Sequence, residues 1–173
     1  VGTHIIITTG FKRLPLPMRC VAPSYMLKLH RNFPHEIIPI QNFPHTPSYC
    51  FSCVCDGRII VGAGENKGYI SLNAVFEYVV GQRKQLFPYS GHTGAYVGHS
   101  AAAYLQNHLV VCGGFDNDNE FDSRVHMLRI DANYCSPEWA TCPDRLPIDV
   151  YGHQLTPFMG KLILTGGHDN RSP

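Results

Sequence analysis

RIIVGAGENKG, residues 58–68, is the stretch whose reading decides the fold. An aliphatic run enters a tight glycine turn, Gly62-Ala63-Gly64, and a third glycine stands at Gly68. A dinucleotide-binding unit opens in a similar way. It then needs a helix whose N-terminus meets the pyrophosphate, and an acid about 20 residues on for the ribose. Here Gly68 and Asn73 interrupt any helix, and Val75-Phe76-Glu77-Tyr78-Val79-Val80 has the β-branched and aromatic content of a strand. Gln82, Arg83 and Lys84 stand where the acid should be, and the third glycine falls one residue late. The stretch predicts strand, corner and strand, with the glycines turning and packing a sheet.

The same local sentence recurs along the chain. THIIITTG (3–10), GRIIVGAG (57–64), NHLVVCGG (107–114) and GKLILTGG (160–167) superpose without a gap, their last glycines 54, 50 and 53 residues apart. A period near 50 residues marks stacked supersecondary units. Second apolar segments NAVFEYVV (73–80) and RVHMLRID (124–131) keep the phase, and SYMLKLH (24–30) follows about four residues later in the first unit, after the longer loop LPLPMRCVAP. Outer segments follow around Ile37-Ile38, Leu86 and Trp139, the only tryptophan. One more strand precedes each later glycine block, in SYCFSCVC (48–55), VGHSAAAY (97–104) and YGHQLTPF (151–158). His99 and His153 are assigned equivalent places in it, with Cys50 as the third. The small residues of HSAAAY and CFSCVC suit strands crowding toward a narrow axis.

These residues resemble the kelch repeat, through GKLILTGGHDN, NHLVVCGGFDN, NAVFEY and the Trp139 region. The first unit departs from the pattern with Thr9, the second with Ala63, and two units lack a tryptophan. The resemblance implies an all-β chain: a partial kelch-type β-propeller of about three four-stranded antiparallel blades plus part of a fourth. Units would run roughly 1–50, 51–98, 99–152 and, in part, 153–173. Three wedges leave an open arc, so a fragment of a larger propeller is expected, with the remaining blades from the same or another chain.

Composition limits function without choosing it. A chain of 173 residues suits one domain, and its formal net charge of +1 offers no electrostatic footprint for nucleic acid or an anionic membrane. No apolar run reaches the roughly 18–20 residues that cross a bilayer. Seven cysteines, an odd number, favour reduced thiols and a cytoplasmic setting.

In an antiparallel blade with strands a to d, the b–c and d–a loops share one end, and binding groups collect on loops held by a rigid scaffold. The b–c loops include ENKG (65–68), FDNDNEFD (115–122) and HDNRSP (168–173); the d–a loops include FPYSGHTGAYVG (87–98) and CPDRLPIDV (142–150). Candidate partner-binding residues are Asn66, Lys67, Tyr89, His92, Phe115, Asp116, Asn117, Asp118, Glu120, His168, Asp169 and Arg171. Gly10, Gly62, Gly64, His99, Gly113, Gly114, Trp139, His153, Gly166 and Gly167 are read as structural.

Metal readings fail on spacing. A calcium loop counted from Asp116 would need glycine sixth and a carboxylate twelfth, where Phe121 and Met127 stand. Asp and Asn at these places are expected in a solvated turn. Cys50, Cys53 and Cys55 lack a second well-spaced pair for zinc and read as buried apolar thiols. No cofactor is implied. The resemblance implies a non-catalytic protein-interaction module, such as a substrate receptor of a ubiquitin ligase or a scaffold. The alternative it carries is an enzyme of the galactose oxidase or sialic acid mutarotase type.

Overall fold

The computed structural model describes residues 4–7, 24–28, 36–40, 51–55, 58–62, 74–79, 82–88, 99–115, 120–130 and 139–169. Fifteen strands and no helix occur among them. The strands β1 (His4–Ile7), β2 (Ser24–Lys28) and β3 (Glu36–Ile40) form one antiparallel sheet in that order. β4 (Phe51–Cys55), β5 (Arg58–Gly62), β6 (Ala74–Val79) and β7 (Gln82–Pro88) form a four-stranded antiparallel meander. β8 (Ala101–Leu105), β9 (His108–Cys112), β10 (Arg124–Arg129) and β11 (Ala140–Arg145) form a second. β13 (Gln154–Phe158) and β14 (Lys161–Thr165) pair as a hairpin, and β12 (Val150–Tyr151) pairs with β15 (His168–Asp169). The described part of the chain is all-β, with every pairing antiparallel. Strand β6 runs antiparallel to β5, whereas a dinucleotide-binding unit requires a parallel return.

The connections β4–β5, β8–β9 and β13–β14 each have two residues. Gln106 and Asn107 take φ of +49° and +62°, and Met159 and Gly160 take +49° and +72°. Positive φ at both central positions is the turn whose twist matches paired strands. The equal loop length locks the first strand to the glycine-ending strand in one register. Gly62, Cys112 and Thr165, each two residues before the final glycine of its block, face Phe51, Ala101 and Gln154.

That register corrects the alignment of the histidines. Ser100, not His99, is the counterpart of His153, and His99 answers to Gly152. The backbone agrees: His99 and Gly152 both occupy the left-handed region, at φ +59° and +64°. The insertion lies in the connection before the hairpin, where sequence has no rigid ladder to hold the phase.

The sheets stack through their faces. Strand β8 packs against β4 on one side and against β13 on the other. Ala102, Leu109, Val111, Leu128 and Ile130 meet Phe51, Cys55 and Ile60 in one core, which Tyr104 and Trp139 border. The opposite face of the same meander, Ala101, Ala103, Val110 and Cys112, meets Leu155 in a second core bordered by Leu162 and Leu164. A sheet covered on both faces leaves β9 buried almost throughout, whereas the equally apolar β14 alternates between exposed and half-buried residues. The small side chains Ala101, Ala102 and Ala103 let β4 approach β8 on one face and β13 on the other.

Three loop boundaries shift. Cys142–Arg145 belong to β11, Phe87 and Pro88 to β7, and His168–Asp169 form β15 instead of loop. Asp122 is also not a solvated turn residue: it is 6% exposed, and its carboxylate accepts the Arg124 backbone N–H at 2.9 Å and pairs with Arg124 Nε at 2.7 Å. Its own N–H donates to the Gly114 carbonyl at 2.9 Å. A carboxylate reaching two residues along the chain closes the b–c loop from within.

Candidate functional site

Two diglycine corners, Gly113-Gly114 and Gly166-Gly167, converge on residues 150–153. Gly114 N–H donates to the Val150 carbonyl at 2.8 Å, tying the corner after β9 to the segment that enters the hairpin β13–β14. The approach is possible because Gly113, at φ +63°, has no side chain: a Cβ there would lie 2.5 Å from both the Val150 oxygen and His153 Cε1. Gly167, in the next corner, approaches the same segment. Its Cβ would lie 2.7 Å from Val150 Cγ2 and 2.8 Å from His153 Cβ. Residues 150–153 are thus gripped between two glycine corners, and β12 and β15 pair beside them.

This convergence gathers five rings from b–c and d–a segments. Phe115 and Phe121 come from the connection between β9 and β10, where they form an isolated antiparallel bridge. His99 and Tyr151 come from the approaches to β8 and β13, and His168 from β15. Ring centroids lie 4.9 Å apart for His99–Phe115, 5.7 Å for His99–Tyr151 and 6.2 Å for Phe115–Tyr151. Phe121 stacks on Tyr151 at 5.0 Å with planes 21° apart, and Tyr151 meets His168 at 5.4 Å. Such spacings give each pair about 0.5–1.5 kcal/mol beyond area burial. The cluster is only partly covered: Phe121 and His168 are exposed, and Tyr151, Phe115 and His99 are half-buried. Partial burial lowers the pKa of His99, favouring a neutral ring at neutral pH.

Of the candidate binding residues, Phe115 and His168 stand in this cluster, and Glu120 and Asp169 flank it in sequence. Asn66, Lys67, Tyr89, His92, Asp116, Asn117, Asp118 and Arg171 lie outside the described residues, as do Gly10 and Gly64 among those read as structural. Sequence reasoning missed Phe121 and Tyr151 as cluster members. The signal available was their position, since Phe121 lies in FDNDNEFD (115–122) and Tyr151 directly follows CPDRLPIDV (142–150), two loops assigned to one end. His99, read as structural, lies among the rings instead of being buried as His153 is.

The remaining titratable groups are interior. His153 is buried, with Nε2 3.5 Å from Cys112 Sγ, and burial lowers its pKa while a backbone hydrogen bond with Cys112 works the other way. His126 is fully buried with Nδ1 3.0 Å from Thr141 Oγ1; burial, then the nearby Arg145, push its pKa down to about 4. Cys53 and Cys55 project to one face of β4 with Sγ atoms 3.5 Å apart. That contact, then burial, raise the Cys53 thiol far above its ordinary pKa. No group of three His, Cys, Asp or Glu side chains that could hold a metal occurs among the described residues. None of the described helix-free architecture offers a helix terminus for an anion.

The chain matches no protein-family model, and a search of curated proteins finds no match to it.

Proposed function

We propose that the stacked meanders are blades of a kelch-type propeller, and that its b–c and d–a loop end is a non-catalytic surface for binding another protein. The propeller reading is supported by two four-stranded meanders of matching order and by first strands β4, β8 and β13 lying side by side. On this reading further blades, from the same or another chain, continue the arc beyond β13–β14 and beside β4–β7.

The binding reading is carried by one observation: five rings from four separate segments converge at one end and stay partly open. A rigid, half-exposed aromatic surface on a loop end is the composition of an interface hot spot, because aromatic side chains bury much area with little entropy to lose. The role is rigid presentation, as in a scaffold or a ligase substrate receptor in the cytoplasm.

The test is quantitative. A partner captured by the full chain is purified and titrated against wild type, Phe121→Ala and Tyr151→Ser, with melting curves as the folding control. Affinity falling about tenfold or more, equivalent to about 1.4 kcal/mol, with unchanged melting supports the surface. Equal affinities for all three proteins refute it.

A further inference from the structure

The glycine-corner end of the sheets β8–β11 and β13–β14 carries acid as well as rings. Among the described residues from 99 to 169, Glu120, Asp122, Asp144, Asp149 and Asp169 lie at this end, against two guanidiniums, Arg124 and Arg145. The far end of the same strands holds Arg129 and Lys161 and no described carboxylate. The whole chain has a formal charge of +1, so the contrast is one of placement. Strands of five or six residues separate the two ends by roughly 17–20 Å, whereas screening at physiological salt acts over about 8 Å. The far cations therefore barely alter the field at the ring-bearing end.

Chain connectivity sets acids beside the rings. Glu120 and Asp169 are neighbours of Phe121 and His168, and Asp149 stands two residues before Tyr151. At about 3.8 Å between consecutive Cα atoms, their backbones lie within one screening length of a ring-bearing residue. Asp122 adds little to the field, because it is buried against Arg124 at 2.7 Å. Asp144 and Arg145 are adjacent and offset each other. The Arg124–Arg145 register and the Leu146 N–H bond to the Ser123 carbonyl, at 2.8 Å, hold that pair at this end. The formal balance left around the rings is negative. Phe121 and His168, the two exposed rings, both pack on Tyr151. Resting on the reading of this end as a protein-binding surface, we propose that it takes a basic segment of the partner. An arginine of that segment lays its guanidinium on an exposed ring while its charge meets the acidic field. A planar guanidinium suits the place because it stacks on aromatic faces and is more weakly hydrated than an ammonium. An acidic or phosphorylated segment would meet like charge.

The probes are blocked peptides Gly-Ser-X-Ser-X-Ser-Gly, with X as Arg, Gln or Glu, titrated into the full, histidine-labelled chain. The readout is the ring ¹⁵N resonance of His168, with the buried His126 as the reference that stays put. A saturable His168 shift with the Arg peptide, at least about tenfold tighter than with Gln and absent with Glu, establishes the basic partner. Affinity for the Arg peptide is expected to fall about threefold or more from about 50 to about 500 mM salt. Glu120→Gln combined with Asp149→Asn, which keeps size and removes charge, should weaken it about threefold or more. Equal responses to Arg and Gln, a response to Glu, or silence toward all the peptides overturns the proposal. So does insensitivity to salt or unaltered affinity in the double variant. Salt-sensitive self-association that Lys161→Gln abolishes also overturns it, since the occupant would then be the Lys161 end of a second copy. The underlying surface is tested separately: a purified partner weakened by Phe121→Ala but not by the double variant leaves the aromatic surface standing and removes the basic segment.

Discussion

Gly113 and His153 touch so closely that no side chain fits between them: a Cβ on residue 113 would stand 2.5 Å from His153 Cε1 and from the Val150 carbonyl oxygen. The two residues belong to different hairpins, and their contact sets how one sheet approaches the next.

Gly113→Ala therefore meets two penalties, a left-handed backbone at φ +63° and a clash with backbone that cannot rotate away. A destabilisation of about 2–4 kcal/mol is expected, lowering Tm by roughly 5–15 °C for a chain of this size. Gly166→Ala separates the causes, since its φ of +67° is similar but its Cβ would meet nothing within 4 Å. It should cost only about 1 kcal/mol. Equal losses in thermal melts would show that packing at Gly113 is unimportant.

Removing the Asp122 carboxylate should loosen the loop that carries Phe115 and Phe121. Asp122→Ala leaves Arg124 without its ion pair and frees the Arg124 backbone N–H that the carboxylate holds. Because Arg124 is partly solvated, at 24% exposure, the expected loss is about 1–3 kcal/mol. Limited proteolysis should cut first between residues 115 and 122, and unchanged cleavage there would contradict the role.

Acid should unfold the protein through its buried histidines. His126 has a folded pKa near 4, below its ordinary 6.5, so the unfolded chain binds the proton more readily between those values. Its contribution is fully present above about pH 6.5 and is lost as pH falls toward 4, roughly 3 kcal/mol in all. His153 and His99 shift in the same direction. Urea midpoints measured from pH 7.5 to 4 should fall steeply, and His126→Gln should flatten the slope. An identical slope in that variant would place the titration elsewhere.

Thiol reactivity should follow burial. Cys112 is 2% exposed and its pKa is raised to about 11, so little thiolate forms at pH 8. Cys142 is half-buried on β11. Alkylation followed by mass spectrometry should modify Cys142 at least about tenfold faster than Cys112 in the native protein, with the difference vanishing in denaturant.

Much of the architecture was legible because it rests on local rules. The aliphatic runs at 58–62, 108–112 and 161–165 are strands, the segments at 74–79 and 124–129 pair with the first two of them, and the glycine corners recur where close approach demands them. The candidate site was only partly legible. Phe115 and His168, drawn from separate loops in the sequence, each lie beside Tyr151, whereas the hairpin register matches His153 with Ser100 and not with His99. Aligning histidine with histidine ignored the two-residue turns, which oblige the first strand to keep the glycine spacing of 53 residues.

The main strand segments and the corner positions were determined by the sequence alone, since alternation, turn chemistry and glycine are properties of a few neighbouring residues. Tertiary structure decided the rest. Burial of Asp122, the five-ring contact and the approach of Gly113 to His153 each depend on distances between separate segments. Those distances are set by side-chain volume and backbone approach across hairpins about 50 residues apart, which no local pattern encodes.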